Sequence, residues 1–241
     1  MTVTQYQEGE NKLYWVKQNL LATGFPDIEE ALRDPDGLIA IGGDLSEQRL
    51  LDAYSRGIFP WFNEGQPILW WSPDPRCVLE LSELKISRSL AKTLRKGHFK
   101  VSFNTVFIDV LEGCAAARSG VTDTWITNNI KLAYLNLFRM GYAHSVECWH
   151  DEELVGGLYG IAMGKIFFGE SMFSRESDAS KVALVHLVRH LESMDFRIID
   201  CQVHSAHLQT LGAKPIHRAL FTKILDNYCN HEKIVSWQPN I

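Results

Sequence analysis

Between residues 143 and 203 the chain runs through three strand-length apolar segments, one amphipathic helix and a further strand, an order that few architectures can hold. Residues 143–149, 154–162 and 165–173 are strand-like, and Met163-Gly164 joins the last two as a hairpin. Residues 179–194 follow as a helix capped by Asp178 or Ser177, with Val182, Val185, Leu187, Val188 and Leu191 on its apolar face. Residues 197–203 close the run as a strong strand. Strands, helix, strand predict a mixed-sheet α/β (α+β) domain over residues 75–241. Within it, residues 99–103 read as a strand and residues 104–117 and 127–140 as helices. Residues 1–74 read as a small N-terminal domain dominated by helices, one closing in the turn at residues 31–37 and a second running from Ser46 to Gly57. A short strand near residues 68–71 is stopped by Pro73 and Pro75, where the domain boundary is expected.

At 241 residues and 46% apolar, the chain can bury a sizeable core, which excludes intrinsic disorder. No stretch reaches the roughly 18 to 20 continuous apolar residues of a membrane span, and residues 1–10 are polar, so the expectation is a cytoplasmic protein with no membrane partner. Five widely spaced cysteines, an odd number with no Cys-x-x-Cys pair, argue for reduced thiols and against a disulfide framework or zinc ribbon.

The formal charge of −5 is unevenly spread. Residues 84–108 carry six of the 24 basic side chains and none of the 29 acidic ones. Ser87 as N-cap and Gly97 past the C-terminus frame a helix there. Arg88, Lys92, Arg95 and Lys96, spaced by three and four, share one face, while Leu90 and Leu94 lie on another. That stripe is either a solvated helix face or a contact for a polyanion.

Four other features carry chemistry. Phe59, Trp61, Phe62, Trp70 and Trp71 crowd thirteen residues, as an interdomain plug or as stacking faces for a nucleobase. Gly169-Glu-Ser-Met-Phe lacks the second glycine of a nucleophile elbow, which argues against a serine hydrolase, but it ends a strand just before a helix, where open α/β sheets bind ligands. Glu170 sits there between apolar neighbours, either at a binding site or paired with a cation. In residues 197–203, Asp200 and Gln202 point to one side of a buried strand, and two polar groups so placed either pair with each other or face a pocket. Cys201-x-x-His204-x-x-His207 and His186-x-x-x-His190 are incomplete ligand sets, so no metal is expected.

Taken in order, Gly37-Leu-Ile-Ala-Ile-Gly-Gly-Asp-Leu, Arg56-Gly-Ile-Phe-Pro-Trp-Phe, Trp70-Trp-Ser-Pro-Asp-Pro-Arg, Gly169-Glu-Ser-Met-Phe-Ser and Ile199-Asp-Cys-Gln-Val resemble the leucyl/phenylalanyl-tRNA–protein transferases across residues 25–213. The resemblance implies a GNAT-like acyltransferase domain behind a small N-terminal domain. It also implies transfer of leucine or phenylalanine from leucyl-tRNA or phenylalanyl-tRNA to proteins with N-terminal Arg or Lys, marking them for downstream proteases. On that pattern Trp61, Tyr54 and Tyr134 receive the 3′-terminal adenosine of tRNA, and Arg88, Lys92, Arg95 and Lys96 grip its phosphates. The donor side chain is expected among Leu158, Met172, Leu184 and Ile199, with Ser174 and Ser180 at the rim. The pattern places an asparagine where this chain has Ser205, and residues 118–123 look like a loop of variable length.

The tRNA ester already stores the activation, so no ATP and no cofactor are expected. Proton handling falls to Asp200 acting through Gln202, with Asp200 either fixing Gln202 or taking the proton through water, while Glu170 attracts the cationic acceptor. Two alternatives compete: a GNAT-type N-acetyltransferase, for which residues 174–181 lack the glycine-rich pyrophosphate loop, and a non-catalytic tRNA-binding module, which leaves Asp200 and Gln202 without a purpose.

Overall fold

The computed structural model describes residues 3–8, 11–18, 24–116, 124–230 and 237, which build two sheets. The first opens with the antiparallel pair β1 (Val3–Glu8) and β2 (Asn11–Val16), and β3 (Leu38–Gly42) lies parallel to β2. Helix α1 (Glu47–Ser55) follows, and β4 (Phe59–Pro60) and β5 (Leu69–Trp71) complete the order β1-β2-β3-β5-β4. The expectation of a helix-dominated start is thereby corrected. Leu38-Ile-Ala-Ile-Gly is buried almost throughout, so it lacks the alternation that marks a half-exposed strand.

The second sheet holds the rest. Its chain order is β6 (Arg76–Glu80), α2 (Arg88–Lys96), β7 (Lys100–Phe103), α3 (Phe107–Ala115), α4 (Asn128–Arg139), β8 (Ala143–His150), β9 (Glu153–Met163) and β10 (Ile166–Ser174). Then come α5 (Ala179–Ser193), β11 (Ile198–Gln202), α6 (Ala206–Thr210), β12 (Lys214–Ile216) and α7 (Arg218–Tyr228). The strands lie in the order β12-β6-β11-β10-β9-β8-β7, antiparallel except for β10 and β11, which α5 connects in parallel. This is the mixed-sheet α/β arrangement that residues 143–203 predict. Elements β6, α6, β12 and α7 have no counterpart among the expected segments, and the expected loop at residues 118–123 lies outside the described residues.

Alternation along the strands divides the core. Ile166 and Phe168 of β10 join one cluster with Tyr54, Tyr134, Tyr159 and the inner residues of the first sheet, while Phe167 turns to a second cluster with Leu184, Leu187 and Val188 of α5. Both faces of the large sheet are therefore covered. Helix starts follow their capping chemistry: Leu90 N donates to Ser87 Oγ at the head of α2, and Ile130 N to Thr127 Oγ1 at the head of α4. Asp178 occupies the cap position of α5, but its carboxylate accepts from Lys181 Nζ (2.9 Å) and Thr93 Oγ1 (3.2 Å) rather than from the helix backbone. None of the five cysteines is in a disulfide, and no helix among the described residues is long and apolar enough to cross a membrane.

The head of α5 can pack so tightly on β9 because residue 156 has no side chain. A Cβ there would stand 2.6 Å from Ala179 Cβ and 3.1 Å from Ser180 N. Gly156→Ala is expected to cost about 1–3 kcal/mol in urea unfolding, since α5 must shift to admit one carbon. An unchanged midpoint would show that the contact is slack.

Candidate active site

Strands β10 and β11 pair in parallel only as far as Phe168 and Asp200, and then they part. Each carries a bulge at that point, between Gly169 and Ser171 on β10 and between Asp200 and Gln202 on β11. An unpaired extra residue bends its strand and re-aims the side chains beside it. The gap between the two strands opens into a cavity of about 120 Å³ walled by Leu79, Leu158, Phe167, Met172, Leu184 and Ile199, with Gly169, Glu170, Ser171 and Cys201 along its edge. An apolar cavity of roughly 150 Å³ accepts a benzene ring, so this one, somewhat smaller, is of the order of a single apolar side chain.

Glu170, the extra residue of the β10 bulge, is held by three neutral donors from three elements. Tyr54 of α1 donates its hydroxyl to Oε1 at 2.7 Å, Gln202 of β11 donates Nε2 to the same oxygen at 2.8 Å, and Tyr134 of α4 donates to Oε2 at 2.8 Å. No cation is among these partners. Burial is the largest influence on its carboxyl and, with the nearby Asp200 charge, outweighs the hydrogen bonds, lifting its pKa to about 7. A carboxyl poised there can take up and release a proton near neutrality.

Gln202 is aimed by the residue two before it. Its backbone is left-handed (φ 63°), a conformation costing an L-residue about 1–2 kcal/mol, and Asp200 Oδ1 accepts its N–H at 2.9 Å. Asp200 is fully buried. Arg76 of β6, only 1% exposed, grips it bidentately, Nε to Oδ1 at 2.8 Å and Nη2 to Oδ2 at 2.7 Å. The rings of Phe59 and Phe221 each lie 4.8 Å from the Arg76 guanidinium carbon. A chain of contacts thus runs from Arg76 through Asp200 and Gln202 to Glu170.

This geometry gives each expected residue a definite place. Asp200 does not face the cleft, because its partner is Arg76, 124 residues earlier, a pairing visible in the sequence only as a buried acid in need of a cation. Tyr54 and Tyr134 are fully buried and offer no ring face to an adenine; they offer hydroxyls to Glu170, and burial followed by the Glu170 charge pushes both phenols well above their usual range. Ser174 and Ser180 do not line the cavity. Ser174 Oγ instead accepts from Ser180 N at 3.0 Å and donates to the Glu176 carbonyl at 2.9 Å, tying β10 to the head of α5. Leu158, Met172, Leu184 and Ile199 do meet in one wall. Ser205, where the resemblance implies an asparagine, caps α6 by accepting from Leu208 N.

The aromatic segment divides between its two readings. Phe59, Phe62 and Trp70 are buried, Trp70 donating Nε1 to the Gly42 carbonyl, whereas Trp61 is 45% exposed with its ring 6.0 Å from that of Trp71. On α2, Leu90 is buried, and Arg88, Lys92, Arg95 and Lys96 stand in solvent along one side. No three His, Cys, Asp or Glu side chains among the described residues could hold a metal together.

Comparison with known proteins gives a consistent result. The family described as leucyl/phenylalanyl-tRNA protein transferase matches residues 78–226, and its N-terminal domain matches residues 43–74. Proteins named leucyl/phenylalanyl-tRNA–protein transferase are similar over most of the chain: one from Aromatoleum aromaticum is 60% identical, covering 86% of this chain and 87% of its own. One from Pseudomonas putida is 54% identical over 94% and 99%, and one from Nitrosospira multiformis 56% identical over 90% and 92%. Among solved structures, L-PGS from Bacillus licheniformis overlaps 86% of this chain and 69% of its own at 10% identity and a TM-score of 0.43. A GCN5-related N-acetyltransferase from Kribbella flavida overlaps 68% and 58% at 8% identity and a TM-score of 0.32. Overlaps this loose carry no argument about activity.

Proposed function

Because the chain belongs to the leucyl/phenylalanyl-tRNA–protein transferase family, we propose that it moves leucine or phenylalanine from aminoacyl-tRNA to the N-terminal Arg or Lys of acceptor proteins and so marks them for proteolysis. The observation that carries the reading is a cavity of the order of a single apolar side chain, edged by a carboxyl whose pKa is about 7. Burying a leucyl or phenylalanyl group there gains about 1.5–3 kcal/mol, enough to prefer it to smaller donors.

In this mechanism the acceptor α-amine attacks the ester carbonyl. A C–N bond forms, the C–O bond to the ribose breaks, and the ribose oxygen leaves with a proton. Glu170 takes the proton from the amine. Gln202 orients amine or ribose by its amide, and Asp200, locked to Arg76, is a positioning residue that sets the Gln202 backbone. The negative charge of Glu170 and of the whole chain favours a cationic acceptor end.

Trp61 offers the exposed ring on which the 3′-terminal adenine stacks, and α2 supplies the phosphate contacts. The parts of the chain either side of Pro73–Pro75 act as a small N-terminal domain and a catalytic domain, and the site of action is the cytoplasm, where charged tRNA is made. A transfer assay with labelled leucyl-tRNA and an Arg-ended peptide tests the whole reading, and no label on the peptide would reject it. Reversing Arg88 and Lys92 to Glu should raise KM for tRNA and shrink the salt slope of binding by roughly 0.9 for each phosphate that the variant leaves unneutralised. An unchanged slope would take α2 out of the interface.

A further inference from the structure

Phe167 joins the cavity to the core behind it. It stands in the cavity wall, and a Cβ on Gly160 would come within 2.6 Å of its ring, so it is pressed close against β9. Its ring also lies 5.9 Å from that of Trp237, near the end of the chain, at an interplanar angle of 22°.

Trp237 is 5% exposed and firmly seated. Its ring stacks on His144 of β8 at 3.7 Å and 13°, and meets His190 of α5 and Phe196 edge-on at 5.2 and 6.2 Å. The indole therefore occupies space that the Phe167 ring could otherwise enter. It also lies outside residues 78–226, the span that the family match covers.

From this packing we propose that Trp237 sets the depth of the donor cavity by holding Phe167 in its wall, and thereby sets how leucine and phenylalanine rank as donors. The inference rests on the aminoacyl-transfer reading above. Leucine and phenylalanine differ mainly in reach, and a pocket discriminates between apolar groups of different size by how well its floor meets them. Without the indole, Phe167 has a void to retreat into, and the cavity deepens by the volume the ring leaves behind.

The test compares kcat/KM for phenylalanyl-tRNA and leucyl-tRNA in full-length wild type, Trp237→Ala and Trp237→Phe. The ratio of phenylalanine to leucine is expected to rise about tenfold in Trp237→Ala and to return to within about twofold of wild type in Trp237→Phe. A residue that only stabilises the fold would lower both rates together and leave the ratio alone, and that result overturns the proposal. If Trp237→Ala does not fold, Phe167→Leu removes the gate directly with Trp237 in place. It is expected to raise the same ratio, and an unmoved ratio there overturns the proposal as well. A wild type that transfers neither amino acid overturns the transfer reading itself and this inference with it, whereas normal wild-type transfer with unmoved ratios overturns the inference alone.

Discussion

Arg76→Met is expected to destabilise the protein by about 3–5 kcal/mol, because it strands the Asp200 carboxylate at zero exposure with no counter-charge. Much of that loss should return in the double variant Arg76→Met/Asp200→Leu, since an apolar pair of similar volume avoids the cost of burying either charge. The sign of the double-mutant result is informative. Recovery means that the penalty of Arg76→Met lies in the uncompensated acid, while an additive loss means that the stacking of the guanidinium between Phe59 and Phe221 carries most of it. Urea midpoints of the four proteins decide this. The double variant should stay nearly inactive even when folded, because the left-handed backbone of Gln202 then loses the acceptor that holds its N–H. Activity that recovers along with stability would exclude the positioning role given to Asp200.

The second large effect concerns Glu170. With a pKa of about 7, the carboxyl is protonated below neutrality and ionised above it, so kcat for transfer should climb as pH passes through about 7. Glu170→Gln keeps the size and can still meet the Tyr54 and Tyr134 hydroxyls, but it cannot accept a proton. A drop in kcat of about 10² to 10⁴-fold is expected, the range that a positioned base contributes. The limb near pH 7 should vanish with it, leaving only the titration of the acceptor amine, which lies near 7.7–8.0 for an ordinary N-terminus. A Glu170→Gln variant that keeps the neutral limb would place the titrating group elsewhere.

Asp200 and Gln202 were legible as a pair because a strand alternates its side chains, and two polar residues on one side of an otherwise apolar segment stand out. What they bond to was not legible. Arg76 lies 124 positions away, and Tyr54 reaches Glu170 across 116, so these contacts belong to the tertiary fold and leave no local pattern. The bulges of β10 and β11 are likewise a matter of which strand lies alongside, and nothing in Gly169-Glu-Ser or Asp200-Cys-Gln announces an extra residue. Half-buried elements such as α2, with Ser87 and Gly97 at its ends, were readable almost to the residue, because capping and amphipathic spacing are local chemistry. Strand β3 was missed for the opposite reason, since burial on both sides erases the contrast between faces. Tyr54 and Tyr134, set by likeness near the adenosine cleft, bond through their hydroxyls to Glu170, contacts with no local signal in the sequence.

The carboxyl of Glu170, carried on β10, is clasped by α1, α4 and β11, of which α1 alone comes from the stretch ahead of Pro73. With Glu170 as the proposed base, turnover reports on docking. Loosening α1 from the large sheet would swap a hydroxyl for water around Glu170, let its acidity drift back toward that of a free carboxylic acid, and silence the enzyme well before any strand of the large sheet melts. On heating, turnover should therefore fade at a lower temperature than the circular dichroism of the sheet.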